Sequence, residues 1–182
     1  WNITRFISSF PQLKEAEVTL IISDRWILAE LSKLITGCME GYADFNFFTP
    51  ANRVREFTWN TLAAHYLEMV KARAYGSGFS EEEQKAAWYT LHTVLKSILL
   101  LLAPITPFIT DALWRQIYGS ESIHRETFPT AAWSTEATQF TEKLVEFNSK
   151  IWNEKKAKGL SLKEPVKTEI PEDLQEFSRD LK

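Results

Sequence analysis

Through most of this chain apolar side chains recur every three or four residues, and residues that start or stop helices bracket the runs. Positions i, i+3, i+4 and i+7 share one face only in an α-helix, so this spacing restricts the fold more than any other feature. Ile27, Leu28, Leu31, Leu34 and Ile35 mark a first long helix, with Ser23-Asp24 as N-cap and first-turn acid and Gly37 and Gly41 near its end. Thr49-Pro50 reads as an N-cap followed by proline at the first helical position. From there Val54, Phe57, Trp59, Leu62, Ala63, Tyr66, Leu67 and Val70 predict a helix to about Ala74, roughly 40 Å long at 1.5 Å per residue. After a turn at 75–79, Ser80-x-x-Glu83 is a capping box opening a helix through Trp88, Leu91, Leu95, Ile98, Leu99 and Leu102. Ala103-Pro104 stops that helix, Thr106-Pro107 starts another, and Gly119 closes it after Tyr118.

Beyond this point the pattern changes. Ile123–Phe128 reads as a short strand, and Thr135–Lys158 as a helix with Phe140, Leu144, Phe147 and Ile151 on one face, ended by Gly159. Val166–Ile170 alternates like a strand, and Pro171 with Glu172 and Asp173 starts a last short helix. The expected fold is all-α. Residues 1–133 form an antiparallel helix bundle, and residues 134–182 a smaller appendage of a helix plus short strands, incomplete if the chain is a segment of a longer protein. The opening on Trp1, without an initiator methionine, favours that reading.

Composition narrows the function. Apolar residues make up 45 %, enough for a packed core, and the run around Leu99–Leu102 is far shorter than the ~20 residues of a membrane span. The single cysteine, Cys38, allows no internal disulfide, and with no leader pattern in Trp1–Phe6 the expected compartment is the cytoplasm. Net charge is −3, with eight basic and eight acidic residues in 1–75, four and six in 76–134, and nine and ten in 135–182. A nucleic-acid contact would therefore be a local patch and not a diffuse positive field.

Catalytic signals are weak. A di-metal bundle needs paired Glu-x-x-His motifs facing inward. Glu121-x-x-His124 falls in a loop after Gly119-Ser120, His65 and Glu68 stand in the reverse order, and His92 has no carboxylate at a helical neighbour position. Cys38 lacks a nucleophile's context, and Gly76-Ser77-Gly78 is too short to cradle a phosphate. No catalytic, cofactor or metal residue is assigned. Lys155, Lys156 and Lys158 suit either a phosphate or the negative end of a helix dipole. Arg5-Phe6 and Arg25-Trp26 each set a guanidinium beside an aromatic ring, as a site for unstacked RNA bases does. The plainer reading puts both rings in the core and both arginines in surface salt bridges.

Four blocks in order resemble the anticodon-binding domain of class Ia aminoacyl-tRNA synthetases. They are Trp1-Asn2-x-x-Arg5-Phe6, Asp24-Arg25-Trp26-Ile27-Leu28, Phe57-x-Trp59-Asn60 with Tyr66-Leu67-Glu68-x-x-Lys71, and Leu102-x-Pro104-x-x-Pro107-Phe108-Ile109-Thr110 with Leu113-Trp114. The two forms of the third block, Phe57-x-Trp59-Asn60 and Tyr66-Leu67-Glu68-x-x-Lys71, with Lys158-Gly159-Leu160-Ser161-Leu162-Lys163-x-Pro165, are more similar to valyl than to isoleucyl or leucyl members. His65 and Asp111 depart from the pattern, which usually has Trp and Glu there. The family's nucleotide-binding signatures, His-Ile-Gly-His and Lys-Met-Ser-Lys-Ser, are absent. The resemblance implies a monomeric piece that binds the anticodon loop of a valine tRNA through Arg5, Phe6, Arg25 and Trp26. The catalytic and editing domains, with ATP and magnesium, would belong to the rest of the enzyme. The alternatives are the same domain of an isoleucyl or leucyl enzyme, or a helical protein–protein interaction module with an exposed stripe from Phe140 to Ile151.

Overall fold

A computed structural model describes residues 1–15, 18–161 and 168–181. Helix α1 (Asn2–Ile7) precedes α2 (Ile22–Ala43). A continuous rod follows, made of α3 (Phe48–Glu56), a π-helical stretch Phe57–Tyr66 and α4 (Leu67–Ala74). Then come α5 (Glu81–Leu102), α6 (Pro107–Ile117) and α7 (Thr141–Ala157). Short 3₁₀ turns occupy Ile123–Arg125, Glu136–Phe140 and Glu172–Phe177, and the described residues contain no strand.

Helices consecutive in sequence run antiparallel, which sets α2 and α5 parallel, and side chains tie the bundle together at both ends. At one end Trp88 Nε1 and Gln84 Nε2, on the first turns of α5, donate to the carbonyl of Ala74 at 2.9 and 3.1 Å. At the other, the Tyr42 hydroxyl at the end of α2 donates to the carbonyl of Leu101 at 2.5 Å. Between them Leu31, Ile35, Leu62, Val70, Leu91, Leu95 and Leu101 form one buried core. The α2–α3 corner is tight because it contains glycine. A Cβ on Gly41 would lie 2.8 Å from Pro50 Cδ, and one on Gly37 1.9 Å from an Arg53 nitrogen. Both glycines lie inside α2, which runs past them to Ala43.

The helix starts follow local chemistry, with some shifts. The Ser80–Glu83 box forms as expected, with Glu83 N–H on Ser80 Oγ at 3.2 Å and Ser80 N–H on Glu83 Oε2 at 2.8 Å. α2 begins at Ile22, and Asp24 serves in its first turn by accepting from Ile21 N–H at 3.3 Å. In α3 the capping side chain is Asn46, which accepts from Thr49 N–H at 3.1 Å, so Thr49-Pro50 falls in the first turn.

Two strand expectations need correction. Ile123–Phe128 opens as a 3₁₀ turn because Asp111 on α6 captures it, accepting from Ser122 Oγ at 2.6 Å and Ile123 N–H at 2.9 Å. Those bonds leave no ladder partner for a strand. Of Val166–Ile170, residues 166 and 167 lie outside the described residues, and 168–170 have no regular structure. The long rod also differs from a uniform α-helix. Leu67 N–H reaches back five residues to Leu62, and this wider winding buries Phe57 and Leu62 while leaving Trp59 73 % exposed.

Residues 134–161 and 168–181 pack against the bundle. Leu144 and Phe147 are buried, Ile151 is half-buried, and Phe140 packs edge-on against Phe177 at 5.3 Å. The stripe that a separate protein-interaction module would expose is thus largely packed inward.

Candidate nucleic-acid interface

Successive residues on an α-helix lie about 100° apart, so the two members of an Arg–aromatic pair point in different directions, and one can be buried while the other is not. Both pairs obey this. Trp26 is 0 % exposed, and its indole Nε1 donates to Thr141 Oγ1 at 2.9 Å. No face of that ring is open to a base. Phe6 is half-buried, edge-on to Phe10 at 5.1 Å and to Tyr75 at 6.1 Å. Arg5 and Arg25 are exposed, and neither side chain has a hydrogen bond or ion pair among the described residues. Among the described residues the two arginines thus have no salt-bridge partner.

The two arginines line different clefts. Arg5 borders one of about 430 Å³ with Trp1, Gln12, His92 and Gln116. His92 is fixed in its wall, with Nε2 2.9 Å from the Phe10 carbonyl and Nδ1 3.2 Å from the Tyr118 hydroxyl, and burial lowers its pKa. Arg25 borders a second cleft of about 350 Å³ with Glu83, Glu176 and Arg179.

Beneath Arg25 lies a buried ionic node that no single sequence block announces. Arg73 is 0 % exposed. Its guanidinium donates to both carboxylate oxygens of Asp24 at 2.7 and 2.9 Å, and to Asp180 Oδ1 at 3.0 Å. Tyr66 Oη donates to Asp24 Oδ1 at 2.7 Å, and Ser23 Oγ donates to Asp180. Burial works against the Arg73 charge, but Asp24, Tyr66 and Asp180 together outweigh it and hold the guanidinium protonated more firmly than usual. Burial raises the Asp180 carboxyl, with Arg73 pulling the other way. Asp24 of the Asp-Arg-Trp block is thus the anchor of the α2 start, and Arg25 is carried outward on a rigid base.

The opposite end of the bundle is aromatic, which sequence reasoning missed. Tyr42, Phe47 and Phe128 cluster there, with centroids 5.6 and 5.4 Å from Tyr42. Phe45 and Phe48 flank them at 86 and 78 % exposure. Phe45 sits at φ 54°, a left-handed conformation unusual for a bulky residue. The available signal was Phe45-Asn46-Phe47-Phe48, three phenylalanines in a helix–helix turn where polar residues are the norm.

Other reactive groups are occupied. Cys38 is buried, its thiol pushed up to about 11 by burial with Arg53 opposing, which makes it a poor nucleophile. His65 has Nδ1 3.3 Å from Asn148 Nδ2, and burial lowers its pKa. Among the described residues no three His, Cys, Asp or Glu side chains group as metal ligands, and no helix is long and apolar enough to cross a membrane.

Comparison with known proteins supplies the context for these surfaces. Residues 24–170 match the model of the anticodon-binding domain of tRNA ligase. Over 191 aligned residues the chain is 37 % identical to the valine–tRNA ligase of Aeropyrum pernix, covering 100 % of the chain and 23 % of that protein. It is 40 % identical over 166 residues to that of Pyrobaculum aerophilum, covering 89 % and 20 %. A bacterial relative, the valine–tRNA ligase of Ehrlichia canis, is 36 % identical over 72 % of the chain and 17 % of its own length. The chain thus spans about a fifth of the length of these relatives. A helical bundle with two outward arginines and a bare aromatic end, matched over most of its length, belongs to the family of anticodon-binding domains of tRNA ligases.

Proposed function

We propose that the chain holds the anticodon stem-loop of a valine tRNA on behalf of a tRNA ligase whose remaining domains attach valine using ATP and magnesium. The observation that carries this reading is the family match over residues 24–170, with relatives named valine–tRNA ligase on both archaeal and bacterial sides. The chain contributes recognition alone. The partner is tRNA, with the catalytic and editing domains of the same enzyme, and the working form is a cytoplasmic monomer. Residues 1–133 act as the RNA-facing bundle, and residues 134–182 close the Arg25 end through Phe177 and Asp180.

On this reading Arg5 and Arg25 are the direct contacts of their pairs, each offering a flat, uncompensated cation. Phe6 and Trp26 act from inside, as anchors that fix the helix face from which each arginine emerges. The exposed Phe45 and Phe48 rings suit stacking against unpaired bases.

The test is binding of the chain to a panel of unmodified tRNAs, with valine tRNA expected to bind most tightly. Arg5→Ala and Arg25→Ala should each weaken that binding by roughly 1–3 kcal/mol where the guanidinium contacts a base. Stability should stay within about 0.5 kcal/mol, since neither side chain has a partner to lose. The loss should shrink on a tRNA with a mutated anticodon. Equal losses on both tRNAs would make the arginines general phosphate contacts, and no loss on either would remove them from the site. Preference for an isoleucine or leucine tRNA would overturn the valine assignment.

A further inference from the structure

The last turns of α7 take no part in the surfaces described so far. The packed face of this helix ends at Ile151, and the next residue, Trp152, is 57 % exposed. Lys155 and Lys156 stand three and four residues on, the two positions that lie beside Trp152 one turn further along the helix. Lys156 is exposed and has no side-chain hydrogen bond or ion pair among the described residues. Lys158, whose side chain is 56 % exposed, bonds Glu154 at 2.6 Å. Between Asn148 and Gly159 there are four lysines and one acid, on a chain whose net charge is −3.

The backbone beneath these side chains is pinned. Gly159 N–H bonds the Lys156 carbonyl at 3.1 Å and Leu160 N–H the Lys155 carbonyl at 2.9 Å, with Gly159 at φ 65°. The negative end of the α7 dipole, about half a charge, accounts for one lysine in the last turn. It does not account for the further pair Lys155 and Lys156, which stand one turn beyond an exposed indole. A tryptophan flanked by flexible cations does match a nucleotide strand, with the ring against a ribose and an ammonium on the phosphates to either side.

We propose that the end of α7 is a second RNA contact, in which Trp152, Lys155, Lys156 and Lys158 grip the sugar–phosphate backbone of the stem without regard to sequence. The proposal rests on the reading of the partner as an RNA stem-loop. The charge pattern favours such a polyanion, because this basic turn stands out against an acidic chain.

Two RNA hairpins test it, one carrying a valine anticodon loop and one with the same stem closed by an unrelated tetraloop. Their affinities for the folded chain are measured across a potassium chloride series. The unsubstituted chain should bind both, the anticodon hairpin more tightly. Lys155→Gln with Lys156→Gln should weaken both by the same factor and lower the slope of log affinity against log salt by about one to two, the loss expected for up to two phosphate contacts. Trp152→Ala should weaken both about fivefold or more, and Trp152→Phe should recover part of the loss. Far-UV circular dichroism should show each variant folded.

Unchanged affinity and slope in the lysine variant would overturn the α7 contact, and the loop reading would stand if the anticodon hairpin were still preferred. A loss confined to that hairpin would also overturn it, by moving the lysines to the loop. Equal affinity for the two hairpins, with the lysine effect present, would keep the α7 contact and sink the loop reading. Failure of the folded chain to bind either hairpin would overturn both.

Discussion

Single side chains in this bundle serve several partners at once, and Asp111 is a measurable case. Its carboxylate accepts from Ser122 Oγ, Arg115 Nε and Ile123 N–H, and these bonds, Ser122's foremost, lower its pKa from 3.8 to about 2. A carboxyl depressed on folding contributes stability above its unfolded value and loses it as pH falls through the folded one. The contribution should therefore be complete above about pH 4 and disappear between there and pH 2. Asp111→Asn should lower the melting temperature at pH 7 and show a flatter decline across that acid window. A parallel decline in both proteins would mean that Asp111 contributes nothing specific. Sequence reading did not anticipate this role, because Asp111 stood out only as a departure from the family's Glu. The Arg-aromatic pairs were legible in part. Helix geometry turns the two members of each pair about 100° apart, but which one is buried depends on what packs against them, as Thr141 and Phe10 show for Trp26 and Phe6.

Elements were more legible than residues, since helix boundaries are set by neighbours in sequence. The Ser80–Glu83 box, the Thr106-Pro107 start and the stop at Ala103-Pro104 all stand close to where the spacing predicts them. What escaped notice depended on contacts far along the chain or on the winding of the rod, namely the capture of Ile123 by α6 and the π winding at Phe57–Tyr66. Gly37 and Gly41 stand near the end of α2, as the sequence reads, and in space they are contact points with α3 and its approach. Gly41→Ala tests the contact. Alanine normally gains about 1 kcal/mol over glycine within a helix. Here the new methyl would meet Pro50 Cδ at 2.8 Å and the Asn46 carbonyl at 3.2 Å, so a net loss of about 1–3 kcal/mol is expected in urea unfolding. A gain would show that the α2–α3 corner has room to spare.

On the scale of the whole molecule, the C-terminal stretch belongs to the same packed body as the bundle, with Leu174 and Phe177 each 1 % exposed in the common core. One of its polar links is the Arg73–Asp180 pair, whose members stand 107 residues apart. That separation bears on the order of assembly. Arg73 can meet Asp24 and Tyr66 once α2 and the rod have come together, whereas Asp180 must be drawn in across a far longer loop, whose closure is entropically dearer and comes late. Interactions formed after the folding barrier act on escape from the native state and leave the climb into it alone. Asp180→Asn should therefore leave the refolding limb of a chevron plot nearly unmoved and raise the unfolding rate, by about tenfold for each 1.4 kcal/mol lost. A variant that refolds more slowly and unfolds at the original rate would place the pair in the nucleus. The late pair is in effect a latch, setting how long the assembled domain stays shut far more than how quickly it forms.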